Sequence, residues 1–489
     1  MADDEARTAR EEWGTRFGFL MAMVGAMVGS GNIWRLPYIT GENGGGGFLL
    51  VYLFLLYLIA VPGLMAETML GRYTGRGVIG SFRSILGEGR WEGFGLVVLI
   101  VNIALMSYYA PVVGWILYYV GHSLLGTFFQ PGFAAQQLWT AFAASPVLTL
   151  GTHTLAVALI GGVLLFGIRD GIERTVKWMF PALVIALLAV AIRSLTLSGA
   201  TAGLAFLFTP DWNSVTRPST WITALGQALF STGLGWGIAV TYGSYLRKHD
   251  DVALGGGLFT AVGNTSIGLL ALFAVFPAVF AFGLEPAAGS NLTFITLVQV
   301  FPKMAGGPIW AILFFLGFFF AAFTSGLAIT EVGVTTVQEE TRLSRKQSVL
   351  GVSLAIWLLG LPSAYSAEFL GLMDFMFGNW GLPVATLAII VVVGWKMGPG
   401  WLLTPEWVRL TELNRNSDIY VGRWWSLIVQ YLIPPIMLAI MVYFVVSNIG
   451  QQPIETAGGV VLVGIILVAS LVIMSATRQR GASQTLGGD

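Results

Sequence analysis

The feature that most restricts the fold of this chain is a series of apolar stretches, each long enough to cross the roughly 30 Å hydrocarbon core of a membrane. Only 10% of its 489 residues are charged, whereas a soluble domain carries about a quarter. The sequence therefore predicts an all-α integral membrane protein with about twelve transmembrane helices. Their approximate spans are 17–38, 46–70, 93–124, 154–170, 172–198, 219–245, 253–283, 306–338, 346–363, 370–395, 424–448 and 456–476.

The basic residues predict the orientation, because cytoplasmic loops carry an excess of lysine and arginine. If the N-terminus lies inside, all but four of the 25 basic residues fall in cytoplasmic segments or tails. The four exceptions are Arg35, Arg193, Arg217 and Lys303. We therefore expect a multi-pass protein of the cell (plasma) membrane with both termini in the cytoplasm. Two outer segments, 126–150 and 199–218, are expected to fold over the outer face as short helices.

Composition excludes several other functions. The chain has no cysteine, which rules out disulfides, thiolate nucleophiles and zinc–thiolate sites. Its three histidines stand far apart in sequence, so we expect no histidine metal cluster. Equal numbers of basic and acidic residues give no general attraction to nucleic acid. We expect no cleavable signal peptide and find no feature that points to an obligate protein partner. No catalytic triad or nucleotide-binding loop is visible, so we expect no enzyme.

Two of the spans contain glycine clusters at membrane depth. Three glycines lie between residues 25 and 31 of the first span, and three more lie between residues 233 and 237 of the sixth. Each glycine weakens a helix by about 1 kcal/mol relative to alanine, and unwound backbone in a membrane is tolerated where it lines a cavity. Paired interruptions of this kind indicate the binding site of a transporter. The alternative is that the glycines only permit close helix packing.

Polar side chains within the apolar spans are further candidates. A charge near the bilayer centre costs at least about 2.5–3.5 kcal/mol, so it is a functional candidate by default. Such charges are Glu67, Glu331 and Asp374, with Arg35 at the end of a span. Neutral oxygens, which hard cations accept as ligands, come from Asn32, Ser231, Asn264, Thr324 and Ser325. A single serine or threonine in a span more often bonds to its own helix backbone.

A set of motifs, in the correct order, resembles the neurotransmitter:sodium symporter family, in particular its bacterial and archaeal amino-acid transporter branch. The match runs from about residue 10 to residue 395. The motifs are Glu12–Gly18, Val28–Tyr38, Glu42–Gly46, Glu67 with Gly71–Tyr73, Ser107–Tyr109, Gly226–Ala228, Tyr242–Tyr245, Ala321–Ser325 and Asp374. The resemblance implies the leucine-transporter fold, in which helices 1–5 and 6–10 form two inverted repeats, helices 1 and 6 are broken, and two C-terminal helices follow.

This fold implies a division of the chain into six parts. They are a cytoplasmic N-terminal segment with inner-gate residues (1–16), the first repeat (17–198), an extracellular loop (199–218), the second repeat (219–395), a cytoplasmic loop with helices 11 and 12 (396–476), and a cytoplasmic tail (477–489).

The resemblance also implies two sodium sites. The first would consist of the Met27 carbonyl and the side chains of Asn32, Ser231 and Asn264. The substrate carboxylate would complete it, so that neither solute has a full site without the other. The second would consist of the carbonyls of Gly25, Val28 and Ala321 and the hydroxyls of Thr324 and Ser325. Inward release of the second ion would free the helix bundle to move.

The substrate carboxylate would bind the N–H groups near Ser30 and Gly31 and the hydroxyl of Tyr109. The residues expected around the substrate are Ser30, Gly31, Leu105, Tyr109, Phe230, Ser231, Gly233, Trp236, Ser325 and Ile329. None is charged, so an ionised substrate side chain would be buried unpaired at a cost of several kcal/mol. Monoamine carriers of the family place an aspartate at the position of Gly29. We therefore predict a neutral, mainly hydrophobic amino acid, with leucine-like, aromatic and small substrates all open.

The resemblance assigns the gates as well. Arg35 and Asp374 would form the outer gate, closed across the pocket by Phe230. The inner gate would consist of Arg10, Trp13, Tyr245 and Glu339. Glu67 would brace the unwound part of the sixth helix from behind. Gly171 and Pro181 have the spacing that, in the family, would let the inner half of the fifth helix unwind. The alternative is that they only begin and kink that helix. Glu331 receives no role.

Two other functions stay open. A proton-coupled carrier of the same fold would place a charged side chain at the second sodium site, where this chain has Thr324 and Ser325. A non-transporting amino-acid sensor would need an output domain, for which we expect the tails to be too short. Chloride use also stays open. Chloride-independent relatives often carry an acidic residue near the position of Gly268, whereas this chain has a glycine there.

Overall fold

The protein is described here from a computed structural model that covers residues 11–284, 286, 292–397, 406–448 and 453–486. Arg10, expected in the inner gate, lies outside these residues. The described part is a bundle of helices without a β-strand. We number the membrane helices α1a (Arg16–Met27) and α1b (Gly31–Glu42), α2 (Gly46–Thr74), α3 (Arg90–Leu124), α4 (Pro146–Leu164), α5 (Ile168–Leu195), α6a (Pro218–Thr232) and α6b (Ile238–Gly243), α7 (Ala253–Ala281), α8 (Gly307–Glu340), α9 (Arg345–Tyr365), α10 (Ala367–Trp395), α11 (Arg423–Ser447) and α12 (Pro453–Leu486).

The number of helices agrees with the prediction once the broken helices are counted as pairs. Ten of the described helices are long and apolar enough to cross a membrane, and α1 is an eleventh when its two halves are joined. The halves of α6 have 15 and 6 residues, so neither could span a bilayer alone. The predicted total of about twelve is reached when α6a and α6b count as one crossing. The inverted symmetry of the two halves stays a prediction.

The main difference from the predicted spans lies between α4 and α5. The prediction separates them at Arg169 and Asp170, whereas the structure turns at Gly167 and places both charges in the first turn of α5. A charged pair at the end of a membrane helix can reach the polar interface, so it does not have to interrupt the helix. α4 begins earlier than predicted, because Ser145 caps it by accepting a hydrogen bond from the Leu148 N–H.

Short helices lie between the membrane helices. Ala135–Ala143, Ala200–Phe208 and Trp212–Thr216 occupy the two segments for which short outer helices are predicted. Val78–Leu86 follows α2, and Glu406–Leu413 precedes α11.

Burial divides the membrane helices into an inner and an outer set. In α3, 78% of the apolar stretch is buried within the protein, compared with 33% in α11 and 12% in α12. α1a packs against α5, α7 and α8, and both halves of α6 pack against α2. The two broken helices therefore lie inside the bundle, while α11 and α12 leave most of their apolar surface to the lipid.

Both predicted glycine clusters coincide with helix breaks. α1a ends before Val28, whose backbone is extended (φ −84°, ψ 90°), and α1b leaves at 48° to α1a. In α6 the break is made by Gly233, Gly235 and Gly237, which have φ values of +63°, +87° and +74°. This left-handed backbone is readily available only to glycine. The breaks expose main-chain N–H and C=O groups in the interior of the bundle.

Candidate functional site

The break of α1 leaves backbone groups that side chains from other helices contact. The Ser30 N–H donates to the Tyr109 hydroxyl over 3.3 Å, and that hydroxyl donates to the Ala322 carbonyl over 3.2 Å. The Gly29 N–H donates to Asn32 Oδ1, also over 3.3 Å. These long bonds lie near the upper distance limit for N–H···O contacts. The N–H groups of Gly29 and Ser30 are therefore only weakly satisfied by the protein, at a helix N-terminus that favours an anion.

A first oxygen cluster joins α1, α6 and α7, and we define it as the Met27 carbonyl with Asn32, Ser231 and Asn264. One terminal atom of the Asn264 amide lies 2.8 Å from Asn32 Nδ2, 2.9 Å from the Ser231 carbonyl oxygen and 3.2 Å from the Met27 carbonyl oxygen. An amide oxygen suits only the first neighbour, and an amide nitrogen suits only the two carbonyls. Three oxygens repel one another unless a cation lies between them. A bound cation would therefore let the Asn264 amide oxygen face both carbonyls, and oxygen ligands of this kind suit a hard ion.

The hydroxyl of Ser231 connects this cluster to α2. Ser231 Oγ lies 3.2 Å from Asn264 Nδ2 and 2.9 Å from the Tyr52 hydroxyl. Tyr52 could not be recognised from the sequence, because a tyrosine in an apolar span is more often a packing residue. All four predicted members of the first sodium site are thus brought together, and Tyr52 adds a hydroxyl beside them.

A second oxygen cluster joins α1a to α8 and consists of Gly25, Ala26, Ala321, Thr324 and Ser325. Thr324 Oγ1 lies 2.9 Å from the Gly25 carbonyl oxygen and 3.1 Å from that of Ala321, and Ser325 Oγ lies 2.8 Å from the carbonyl oxygen of Ala26. Four of the five predicted members therefore meet, and the Ala26 carbonyl is an addition. Each hydroxyl now donates to a carbonyl and would have to turn its hydrogen away to bind a cation.

Val28 is the fifth predicted member of the second site. It is fully buried at the end of α1a. Its carbonyl as a sodium ligand stays a prediction.

A small cavity of about 20 Å³ lies between the two clusters. Nine of the ten residues predicted around the substrate line it; Leu105, the tenth, is fully buried in α3 but is not part of the lining. The lining also includes Ala26, Met27, Gly29 and Ile238. A cavity of this size holds about one water molecule, so an amino acid can enter only if side chains such as Phe230 or Met27 move.

The outer-gate residues lie close to the cavity but bind different partners. Arg35 donates to Gln227 Oε1 over 2.8 Å, and its guanidinium lies 4.9 Å from the centre of the Phe230 ring. Asp374 accepts a hydrogen bond of 3.0 Å from the Tyr108 hydroxyl. The ion pair expected between Arg35 and Asp374 is absent from the contacts of the described residues. Gln227, which the sequence analysis gave no role, also donates to the Gly31 carbonyl and so links Arg35 to the break of α1.

Two residues predicted for the inner gate lie at helix ends, Trp13 just before α1a and Glu339 in the last turn of α8. Trp13 is 4% exposed, and its Nε1–H donates to the Tyr242 carbonyl over 3.0 Å. Both carboxylate oxygens of Glu339 accept from the Gly77 N–H, at 2.9 and 3.0 Å. These contacts tie the segment before α1a to α6b, and α8 to the residues after α2.

Glu331, left without a role by the sequence, contacts Tyr245, another residue predicted for the inner gate. It is fully buried and accepts two hydrogen bonds from Arg345, at 3.0 and 2.9 Å, and one of 2.7 Å from the Tyr245 hydroxyl. Arg345 also lies 3.5 Å from Glu11. Glu331 therefore connects α8 with the start of α9 and with Tyr245, two residues after α6b.

Two further residues were predicted to support the broken helices. Glu67 is fully buried and accepts a hydrogen bond of 2.7 Å from the Gly235 N–H in the break of α6. α5 is one continuous helix that contains both Gly171 and Pro181. The unwinding of its inner half stays a prediction.

Gly29→Ala is expected to weaken amino-acid binding severely. A Cβ at this position would lie 2.6 Å from Ser325 Oγ and 3.0 Å from the Tyr109 hydroxyl, so it would displace members of both the cavity and the second cluster. Gly226→Ala is the matched control, because a Cβ there meets nothing within 4 Å. Equilibrium binding of an amino acid measures the effect, and equal affinity in both variants would contradict the geometry described above.

Comparisons with known proteins identify the family of this chain. The model of the sodium:neurotransmitter symporter family matches residues 10–132 and 146–479. An uncharacterized sodium-dependent transporter of Bacillus subtilis is 31% identical over 88% of this chain and 96% of its own length. The human sodium- and chloride-dependent neutral and basic amino acid transporter B(0+) is 24% identical over 93% of this chain and 83% of its own.

Among solved structures, the crystal structure of MhsT in complex with L-phenylalanine is similar to this protein. It has a TM-score of 0.82 and 35% sequence identity, and the match covers 89% of this chain and 99% of that one. The family consists of transporters, so the protein is not an enzyme. With its apolar helices, its broken α1 and α6 and a family match over most of its length, this multi-pass membrane protein belongs to the sodium:neurotransmitter symporter family.

Proposed function

We propose that the protein is a symporter that imports a neutral, mainly hydrophobic amino acid together with sodium by alternating access. It would do so across the cell membrane, with both termini in the cytoplasm. The observation that carries this proposal is the position of two neutral oxygen clusters on either side of one cavity, at the break of α1. The Met27 carbonyl belongs to the first oxygen cluster, and the Ser30 N–H, only three residues later, would bind the substrate carboxylate.

Sodium is assigned to both clusters because of their donor chemistry. Carbonyl, hydroxyl and amide oxygens suit a hard monovalent cation, and neither cluster contains a charged side chain that would favour a divalent ion or replace the cation. The first cluster would hold one ion next to the substrate, and the second would hold another between α1a and α8. Thr324 and Ser325 stand where a proton-coupled carrier would need a charged group.

The substrate class follows from the lining of the cavity. The N–H group of Ser30 and the hydroxyl of Tyr109 suit a carboxylate, whereas the apolar part of the lining includes Phe230, Trp236 and Ile329. Because no lining side chain is ionised, a charged substrate side chain would be buried without a partner. The solved relative MhsT binds L-phenylalanine, which supports an amino acid as the substrate here.

Alternating access would use the two gates in turn. Trp13 and the Glu331–Arg345 pair form the contacts that would hold the inner gate closed, while Arg35 and Asp374, proposed for the outer gate, bind other partners. Substrate binding would bring the outer pair together over Phe230. Opening of the inner gate would then release the second ion and the substrate inward.

The test is uptake by purified protein in lipid vesicles. We expect uptake of a neutral amino acid that is driven by an inward sodium gradient and absent with potassium or choline. Uptake driven equally well by an imposed pH gradient without sodium would contradict the proposal and favour a proton-coupled carrier. Replacing chloride by gluconate tests whether uptake requires chloride, since Gly268 provides no acid at the position where chloride-independent relatives often carry one.

A further inference from the structure

The cavity between the two oxygen clusters contains a polar group that has no partner. Trp236, in the break of α6, is 3% exposed and lines the cavity, and its indole Nε1–H is buried without a hydrogen bond. Three hydroxyls of the same lining, those of Tyr109, Ser231 and Ser325, already form hydrogen bonds. A buried donor without a partner is unfavourable, and a native structure rarely keeps one without a reason.

The position of Trp236 relates it to the side chain of a bound amino acid. Ser30 and Tyr109 form the polar end of the cavity, which suits the carboxylate. Trp236 belongs to the same lining, and its ring packs edge-on against Phe230 at 5.3 Å between centroids. A substrate whose carboxylate binds Ser30 and Tyr109 would place its side chain against the rest of the lining, which includes Trp236.

On the basis of the function proposed above, we propose that Trp236 is a specificity-determining residue whose indole N–H donates to a neutral oxygen on the substrate side chain. Within the neutral, mainly hydrophobic class, the protein would then prefer an amino acid with a side-chain hydroxyl, such as threonine or tyrosine, over the apolar one of the same shape. A site that offers a buried donor rejects an analogue without the acceptor, because the donor stays unpaired in that complex. A carboxylate on the side chain is disfavoured, since no lining residue carries a positive charge.

Pairs of amino acids that differ by one oxygen test this proposal. Threonine and valine have nearly the same shape, and tyrosine is phenylalanine with a hydroxyl. Their affinities are measured in sodium for the wild type, for Trp236→Phe and for the control Trp380→Phe. Trp380 is 2% exposed and its Nε1–H also has no partner, but it does not line the cavity.

We expect the wild type to bind the oxygen-bearing member of at least one pair about tenfold more tightly or better. Trp236→Phe should bring that ratio close to one, while Trp380→Phe should leave it unchanged. The ratio within a pair is informative even though the smaller ring enlarges the cavity, because both members gain the same space.

Three results would overturn the proposal. The first is a wild-type protein that binds both members of each pair equally well, a result that needs no variant. Discrimination that survives in Trp236→Phe would show that a group other than the indole N–H recognises the substrate oxygen. If no amino acid binds in sodium, the proposed function fails as well, so this outcome is distinct from the other two.

Discussion

Asn264→Ala is expected to abolish sodium-dependent binding of the amino acid. The Asn264 amide is the central member of the first oxygen cluster, within 3.2 Å of groups from Met27, Asn32 and Ser231. Loss of a residue that only orients a metal ligand already costs about 10- to 100-fold in metal affinity, so loss of a ligand should cost at least about 100-fold. The measurement is substrate affinity as a function of sodium concentration.

Thr265→Ala is the matched control for this prediction. Thr265 is the next residue of α7, but its hydroxyl bonds to Tyr57 over 3.2 Å on an exposed side of the helix. This variant should keep the sodium dependence of the wild type. If Asn264→Ala keeps the sodium dependence of the wild type, the proposal that the first cluster binds sodium is contradicted.

Arg345→Ala is expected to have the second large effect, on stability and on closure of the inner gate. It would leave the fully buried Glu331 without its cation, and an uncompensated buried charge costs about 3–5 kcal/mol. Arg345 also contacts Glu11, so the segment before α1a should loosen. We expect a lower unfolding temperature and faster amide hydrogen exchange at Gly14, whose N–H is bonded to Glu173.

The double variant Glu331→Gln with Arg345→Ala separates charge from shape. It removes the arginine as well, but it leaves a neutral amide that can still accept from the Tyr245 hydroxyl. We therefore expect the double variant to be more stable than Arg345→Ala alone. A double variant that is less stable than the single one would contradict the assignment of Glu331 as a buried charge that requires its partner.

Much of the fold could be predicted from the sequence because membrane helices must be long, apolar and internally hydrogen-bonded. The breaks of α1 and α6 could be predicted as well, since three glycines within about two turns weaken a helix and the two clusters occupy the first and the sixth span. The boundary between α4 and α5 could not. Arg169 and Asp170 look like an interruption in a hydropathy pattern, yet they lie within the first turn of a helix that starts at Ile168.

For the candidate site, the sequence identified groups better than it identified their partners. Asn32, Ser231 and Asn264 could be selected because amides and hydroxyls are unusual at membrane depth, and the family resemblance placed them together. The roles of Gln227 and Glu331 could not be inferred, because their partners come from other helices. Arg345 reaches Glu331 only because the chain turns back after α8 and Ser344 caps α9.

The central claim, that sodium and a neutral amino acid bind together, is tested most directly by equilibrium binding of all twenty amino acids to the purified protein. Each is measured in sodium, potassium and choline chloride, with Asn32→Ala and Thr324→Ala beside the wild type. We predict binding of a neutral amino acid in sodium alone, lost in both variants. Equal binding in all three salts would contradict the sodium sites and give the proton-coupled carrier first place.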